Sequence, residues 1–577
     1  MVDSPTQSLI KSPVSLAITI LMPAILFWAA WYPMPATQLL FISLIPLFLL
    51  AHHFVQSNRL KFYGSLYLSI LLFNISTTWW VWNSTPSGAI AMLALNTLFM
   101  LLPFGILRFA YKKSQNISIA LAAFTIAWLW YEYGHHRWDL SWPWLALGNG
   151  LVGMPSFIQW YEITGTLGGS FLVLFINALI YRAIISRSKI QLILPLITLT
   201  TMFLISTLLK NRVDTHAGNP INVTVLQPNY DPWNEKFDKA PLQMVEEMWN
   251  TTLKHTDSTT QYVLWPETSL VGFVDLDQIG FNPQVSTLRT NILKHPAAKK
   301  QGLSLITGIN AAKFYHAAEK PHPDARNQGG DFWYVPYNSV MEISSVDTFD
   351  YYHKSKLVPG TEQLPFVKTF PFLETLAVSL DENSSTGTLG ISDGAKTLTT
   401  KNPIAPLVCY ESIYGDYVND FIGKGATWLG IVTNDAWWEN SPGFQQHFIY
   451  ATLRAIEQRK WVARSANTGI SGFINPKGEI VKHTGWYENR PGKQTPYQYF
   501  WGFPKTSPQQ ELALAQETNH PEMPSTTAID NHQTALSATI YANQTHTLYQ
   551  KTGDIFWLLL FSLSTSFFLI LKHFKRA

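Results

Sequence analysis

The chain has 577 residues, of which 47% are hydrophobic, 14% aromatic and 14% charged. Soluble domains are about 25% charged, so an ordinary soluble enzyme is excluded, yet a mean hydropathy of +0.04 is too low for a chain buried in a bilayer throughout. A net charge of +3 gives no reason to expect a nucleic-acid partner, and the single cysteine, Cys409, excludes an intrachain disulfide framework and a multi-cysteine metal site.

Charge is spread unevenly. Residues 1–209 hold 10 Lys/Arg but only 4 acidic residues, and the other 34 acidic residues follow. A bilayer span needs about 20 mostly apolar residues. Candidates are 13–33, 37–55, 62–82, 88–110, 117–133, 163–184, 190–209 and, near the end, 555–571. The first has no small-x-small cleavage site after it and is expected to remain as an anchor. Every second connection is basic, through Lys11, Arg59 with Lys61, Arg108 with Lys112 and Lys113, Arg182 with Arg187 and Lys189, and the Lys572–Arg576 tail. That alternation puts both termini in the cytoplasm and 213–553 on the opposite side. The 134–162 connection carries Trp138, Trp142, Trp144 and Trp160. It reads either as an aromatic belt at headgroup level or as a surface that guides a lipid.

From Asn222 the pattern changes to short apolar runs between polar turns. Strands are expected at 223–228, 262–267, 303–310, 331–344, 405–412, 427–435 and 471–483, with a helix at 444–460. Strands alternating with helices, plus hairpins, predict an α/β sandwich. Polar segments 374–402 and 503–536 read as long surface loops.

Three residues could carry chemistry. Glu267 ends the LWPE run, where apolar neighbours would raise its pKa toward that of a general base. Lys354, in YYHKSKLVPGTEQLP, could stabilise an oxyanion. Cys409 follows the strand PLV, where a turn would present its thiol as a nucleophile. Each alone has a plain structural reading: a solvated turn, a solvated loop lysine and a small buried hydrophobe.

In that order the three resemble the nitrilase superfamily, whose members use a Glu-Lys-Cys triad on an αββα sandwich. The local signatures are WPETS, HKSKLVPGTE and CYES. Together with about eight spans, the set resembles the membrane-bound apolipoprotein N-acyltransferases. The resemblance extends to NGLVGMPS, QPNYDPWNEKF, YNS, TNDAWW, RSANTGIS and LYQKTGD. One departure is LVPGTE, where many members read LVPFGE; it leaves Glu362 at its usual distance from Lys354 but alters the local turn.

The resemblance implies a polytopic membrane domain of seven helices over 1–212. A periplasmic αββα domain follows over 213–553, then a last span and basic tail over 554–577. It implies a monomer in the bacterial inner membrane that takes an acyl chain from a phospholipid. The chain would pass through a thioester to the α-amino group of diacylglyceryl-modified apolipoproteins. Glu267 would be the base, Lys354 with the Tyr410 N–H the oxyanion site, and Cys409 the nucleophile. Glu362, Tyr410 and Glu411 would support them, and Trp233, Asn338 and Trp437 would line the substrate site. No metal or cofactor is implied. The rival readings are a membrane-tethered amidase using water as second nucleophile, and a transporter or scaffold with an inactive domain.

Overall fold

The structure, a computed structural model, describes residues 10–231, 236, 239–300, 302–346, 348–367, 369–370, 388–484, 486–487, 496–497 and 533–574. Its N-terminal part is helical: α1 (Pro13–Ala30), α2 (Ile45–Phe54), α3 (Arg59–Thr78), α4 (Pro86–Met100), α5 (Leu102–Ser114), α6 (Ile117–His135), α7 (Tyr161–Ser186) and α8 (Ile193–Arg212). Polar caps start several of them. Ser12, Asn58, Thr85 and Asn116 each accept a backbone N–H from the first turn of the helix that follows. Five stretches are long and apolar enough to cross a bilayer: Pro13–Ala30, Thr37–Phe54, Pro86–Ser114, Tyr161–Ser186 and Lys189–Arg212. The other three expected segments are also helical, in α3, α6 and the terminal helix Leu548–Phe574. Segment 88–110 is not one helix. It breaks at Leu101, where Pro103 opens α5.

Among the described residues the second part contains two large sheets and a two-stranded ribbon of Trp486–Tyr487 with Pro496–Tyr497. The larger runs β13-β1-β2-β4-β6-β5, with β3 beside β4 and β7 beside β6. Its members are β1 (Asn219–Gln227), β2 (Tyr262–Leu264), β3 (Leu270–Asp275), β4 (Ser304–His316), β5 (Arg326–Gly329), β6 (Phe332–Ile343), β7 (Asp350–His353) and β13 (Thr534–Ala542). The smaller runs β12-β11-β10-β9-β8. It comprises β8 (Ile404–Val408), β9 (Trp428–Thr433), β10 (Val462–Ala466), β11 (Gly472–Ile474) and β12 (Ile480–His483). Strands β8, β9 and β10 are parallel and wholly buried, which is why they read as unbroken apolar runs. Pro406 is tolerated because β8 is an edge strand.

Helices α9 (Pro241–Leu253) and α10 (Pro283–Lys294) cover the outer face of the large sheet. On the small sheet lie α11 (Gly415–Gly423) and α12 (Pro442–Gln458). The order helix, sheet, sheet, helix is the expected αββα sandwich. Helix α12 departs from the usual amphipathic pattern, because every residue from Gly443 to Gln458 is buried. Its outer face is covered by the N-terminal helices instead of water.

Two expectations need correction. Trp144 and Trp160 do not form a headgroup belt, because both are buried. Trp144 Nε1 donates to Gln446 Oε1 of α12 at 2.7 Å. Trp31 Nε1 donates to the Tyr450 hydroxyl at 3.0 Å. Nor is 388–402 a loose surface loop. Leu398 is fully buried, and the Leu389 N–H donates to the Glu362 carbonyl at 3.0 Å. Residues 534–536 belong to β13, while 374–387 and 503–532 lie outside the described residues.

Candidate active site

The parallel strands deliver their C-terminal ends to one edge, where α/β sheets hold ligands. Glu267 stands in the turn after β2. Gly308 of β4 packs against that turn so closely that an added Cβ would lie 2.5 Å from the Pro266 carbonyl and 2.6 Å from Glu267 Cα. Only glycine permits this approach.

Glu267 is 6% exposed. Its Oε1 accepts from Asn338 Nδ2 at 2.6 Å, and its Oε2 accepts from the Asn434 N–H at 3.0 Å. Burial raises its pKa, the Lys354 charge opposes that rise, and Glu362 adds to it.

Lys354 leaves β7 at 1% exposure, with its backbone N–H donating to the Asn338 carbonyl at 2.8 Å. Its Nζ lies 2.8 Å from Glu362 and 3.6 Å from Glu267 Oε1. Burial disfavours the ammonium, but Glu362, Glu267 and Cys409 outweigh it and hold the pKa above the usual lysine range. Lys354 is therefore a fixed cation.

Glu362 spans the cluster. Its Oε1 accepts from Asn338 Nδ2 at 3.1 Å and Lys354 Nζ at 2.8 Å, and its Oε2 accepts from the Val358 N–H at 2.9 Å. The displaced glycine of LVPGTE makes that last bond possible. Gly360 takes φ +83, and the Glu362 N–H closes the turn on the Val358 carbonyl at 3.0 Å.

Val408 of β8 pairs with Val432, so Cys409 leaves the sheet beside Thr433. Cys409 is half-buried and has φ +50, and it opens a 3₁₀ turn over Cys409–Ile413. A side chain in the left-handed region costs about 1–2 kcal/mol, so the surroundings must hold it there. Burial pushes its thiol pKa up, Glu267 adds to this, and Lys354 pulls it down. The resting sulfur is a thiol, and it needs a base.

Glu411 is fully buried behind this turn. Its Oε1 accepts from the Tyr352 hydroxyl at 2.6 Å, the Ser355 N–H at 2.6 Å and the Lys356 N–H at 3.2 Å. Its Oε2 accepts from the Val408 N–H at 2.9 Å. One carboxylate thus ties the cysteine strand to the lysine loop. Tyr410 turns toward the helical part, where its hydroxyl donates to the Ser141 carbonyl at 2.9 Å and its ring stacks on Trp142.

Glu267, Asn338, Lys354, Glu362 and Cys409 are brought together. Trp437 lies half-buried in the turn Asp435–Trp438, and Trp233 lies outside the described residues.

Two further features carried no assigned role at the sequence level. Lys236, from the QPNYDPWNEKF motif, is buried with Nζ 2.5 Å from Thr268 Oγ1. Burial lowers its pKa to about 8, against the pull of Glu267. The second is a buried trio of Asp435, His447 and Arg464 beneath Cys409. His447 Nδ1 is 2.8 Å and Arg464 Nη2 is 2.5 Å from the Asp435 carboxylate. Although burial opposes its charge, Arg464 and His447 hold the Asp435 carboxyl below its usual range. TNDAWW and RSANTGIS were the only sequence signals for two of these three residues.

Residues 23–179 match the apolipoprotein N-acyltransferase N-terminal domain, and residues 222–490 match the carbon-nitrogen hydrolase family. The chain belongs to the apolipoprotein N-acyltransferase family. Among curated relatives, the apolipoprotein N-acyltransferase of Chlorobaculum tepidum is 27% identical, covering 79% of this chain and 86% of its own. That of Geobacter metallireducens is 25% identical, covering 68% and 71%. A solved amidase of the nitrilase superfamily from Nesterenkonia AN1 is 15% identical with a TM-score of 0.31, covering 53% of this chain and 99% of its own. The hydrolase match includes Glu267, Lys354 and Cys409. The N-terminal match ends in α7.

Proposed function

We propose that the chain transfers an acyl group from a phospholipid, through a thioester on Cys409, to the α-amino group of the diacylglyceryl-cysteine of apolipoproteins. It is an acyltransferase of its family, and the small-amide hydrolase reading is disfavoured because relatives matching over both parts carry the acyltransferase name. The observation that carries the mechanism is the buried Glu267–Asn338–Glu362–Lys354 cluster acting on Cys409 at the sheet edge.

Glu267 takes the Cys409 thiol proton, and the thiolate attacks the sn-1 ester carbonyl of the donor. The negative charge that develops on that oxygen is held by Lys354 and the Tyr410 N–H. As second residue of its turn, Tyr410 has no acceptor for that N–H within the turn. The ester C–O bond breaks, Glu267 returns the proton to the leaving alkoxide, and a lysophospholipid departs. The substrate amine then attacks the thioester carbonyl, Glu267 accepts its proton, and the C–S bond breaks. An amide forms and the thiol is restored. Asn338 and Trp437, with Trp233 by the family resemblance, are assigned to substrate binding, while Glu362, Glu411 and the Tyr410 side chain hold the machinery in place.

Both substrates are anchored by acyl chains, whose exposure costs about 0.8 kcal/mol per CH₂. The reaction must therefore occur at the membrane surface. The seating of α12 and Tyr410 on the helical part supports that location. The accompanying topology has seven spans in 1–212, a periplasmic domain over 213–553 and an eighth span in 554–577. Both termini face the bacterial cytoplasm, and the monomer is the working unit. Cells depleted of the protein should accumulate diacylated lipoproteins with free N-termini, read by mass spectrometry. Fully triacylated N-termini, with no second such enzyme present, would contradict the assignment.

A further inference from the structure

Cys409 carries its sulfur on one side of the reaction and its carbonyl on the other. That carbonyl belongs to the same peptide unit as the Tyr410 N–H. A trans peptide is planar, and its C=O and N–H point in opposite directions. Whatever grips the Cys409 oxygen therefore aims the Tyr410 N–H. Two groups grip it from below: the Ser412 hydroxyl donates to it at 2.8 Å, and His447 Nε2 lies 3.2 Å away. His447 Nε2 also lies 3.2 Å from Ser412 Oγ, so the ring and the hydroxyl form one support.

The ring itself has little freedom. Its Nδ1 is fixed 2.8 Å from Asp435 Oδ1, and Arg464 Nη2 holds the other carboxylate oxygen at 2.5 Å. Arg464 is anchored in turn to the carbonyls of Ile470 and His447, at 3.1 and 3.3 Å. The edge of the ring packs against Trp438 at a centroid distance of 5.3 Å. All three residues are fully buried. The buried Asp435–Arg464 ion pair is no general device for stability, and here, through the His447 ring, it ends on one backbone oxygen whose residue is held at φ +50.

We propose that His447, braced by Asp435 and Arg464 and acting with Ser412, is a positioning residue that orients the Cys409–Tyr410 peptide so that the Tyr410 N–H faces the substrate oxyanion. This rests on the acyl-transfer reading given above. The support acts only on steps that develop an oxyanion, namely thioester formation and thioester aminolysis. It does nothing for a simple displacement at the sulfur, which places no charge on a carbonyl oxygen.

That difference supplies the test. Full-length wild type, His447→Ala, His447→Gln and Ser412→Ala are compared in detergent by two readouts. One is formation of the acyl-enzyme from a phospholipid with a labelled sn-1 chain. The other is alkylation of Cys409 by iodoacetamide. Loss of one preorganised oxyanion donor lowers kcat about 10²- to 10³-fold. His447→Ala should lose acylation to about that extent with KM nearly unchanged, while alkylation stays within about twofold of wild type. His447→Gln, whose side-chain amide can donate to the carbonyl, should recover part of the rate. Ser412→Ala, a milder change, should show the same selective loss to a smaller degree. Wild-type acylation in both His447→Ala and Ser412→Ala would overturn the proposal. So would a parallel fall of acylation and alkylation, which marks a general structural role. A wild-type protein that forms no acyl-enzyme at all would overturn the acyl-transfer reading, and this inference with it.

Discussion

Replacing Glu362 by glutamine tests the electrostatics of the site in one step. Glu362 and Glu267 share the Nδ2 of Asn338, at 3.1 and 2.6 Å, so their carboxylates lie within about 6 Å of each other. At that separation and an effective dielectric near 20, two unit charges repel by about 3 kcal/mol, equivalent to about two pKa units. Lys354, at 2.8 and 3.6 Å from the two, screens part of this and halves the expected effect. Glu362 contributes to the raised pKa of Glu267, so neutralising it lets that pKa fall. Lys354, freed from its closer partner, also turns toward Glu267 and pushes in the same direction. The base must be unprotonated to act, so the acid limb of the kcat–pH profile should move down by about one pH unit. The weaker base should cost about 5- to 10-fold in kcat on the plateau. The assay is acyl-enzyme formation from a defined phospholipid across pH 4–8. An acid limb that stays in place, or moves up, would refute the assignment of Glu267 as the base under the influence of Glu362.

Other perturbations separate the parts of the site. Glu411→Gln sets an amide against four donors at a fully buried position. It should lower stability by about 2–4 kcal/mol, read by thermal unfolding in detergent. Gly308→Ala puts a methyl 2.6 Å from Glu267 Cα, and displacing the base should lower kcat about 100-fold with the protein still folded. Tyr410→Phe removes the hydroxyl that bonds the Ser141 carbonyl and interacts with Tyr414. It should cost about 1 kcal/mol of stability while kcat stays near wild type, because the backbone N–H is untouched.

Much of this site was legible because its chemistry sits where strands end. Glu267 and Cys409 each follow an apolar run, and a turn after a buried parallel strand is a local pattern. Lys354 and Glu362 share one short loop, so their pairing at eight residues' separation is a local contact. The His447 trio was not legible as a unit, since Asp435, His447 and Arg464 come from three separate elements. Helix α12 hides the rest. Gln445, Gln446, Thr452, Arg454, Glu457 and Gln458 would suit a solvated face, yet all are buried. Arg454 pairs with Glu457 there at 2.9 Å. No periodicity in α12 alone could reveal a cover that comes from another part of the chain. The same cause misplaced Trp144: an indole that fits a headgroup belt fits equally well a seam where its N–H finds Gln446. Strand β13 was masked by its polar neighbourhood, and its place at the sheet edge follows from nine paired positions with β1.

The central claim is that Cys409 carries the acyl chain between two lipids. Full-length protein in detergent, incubated with a phospholipid bearing an isotopically labelled sn-1 chain and no acceptor, should gain the mass of one labelled acyl group. The group should map to Cys409, be released by neutral hydroxylamine, and move to a diacylated lipopeptide as an amide when that acceptor is added. An adduct that forms equally on Cys409→Ala, or acyl transfer to the lipopeptide by that variant, would contradict the account.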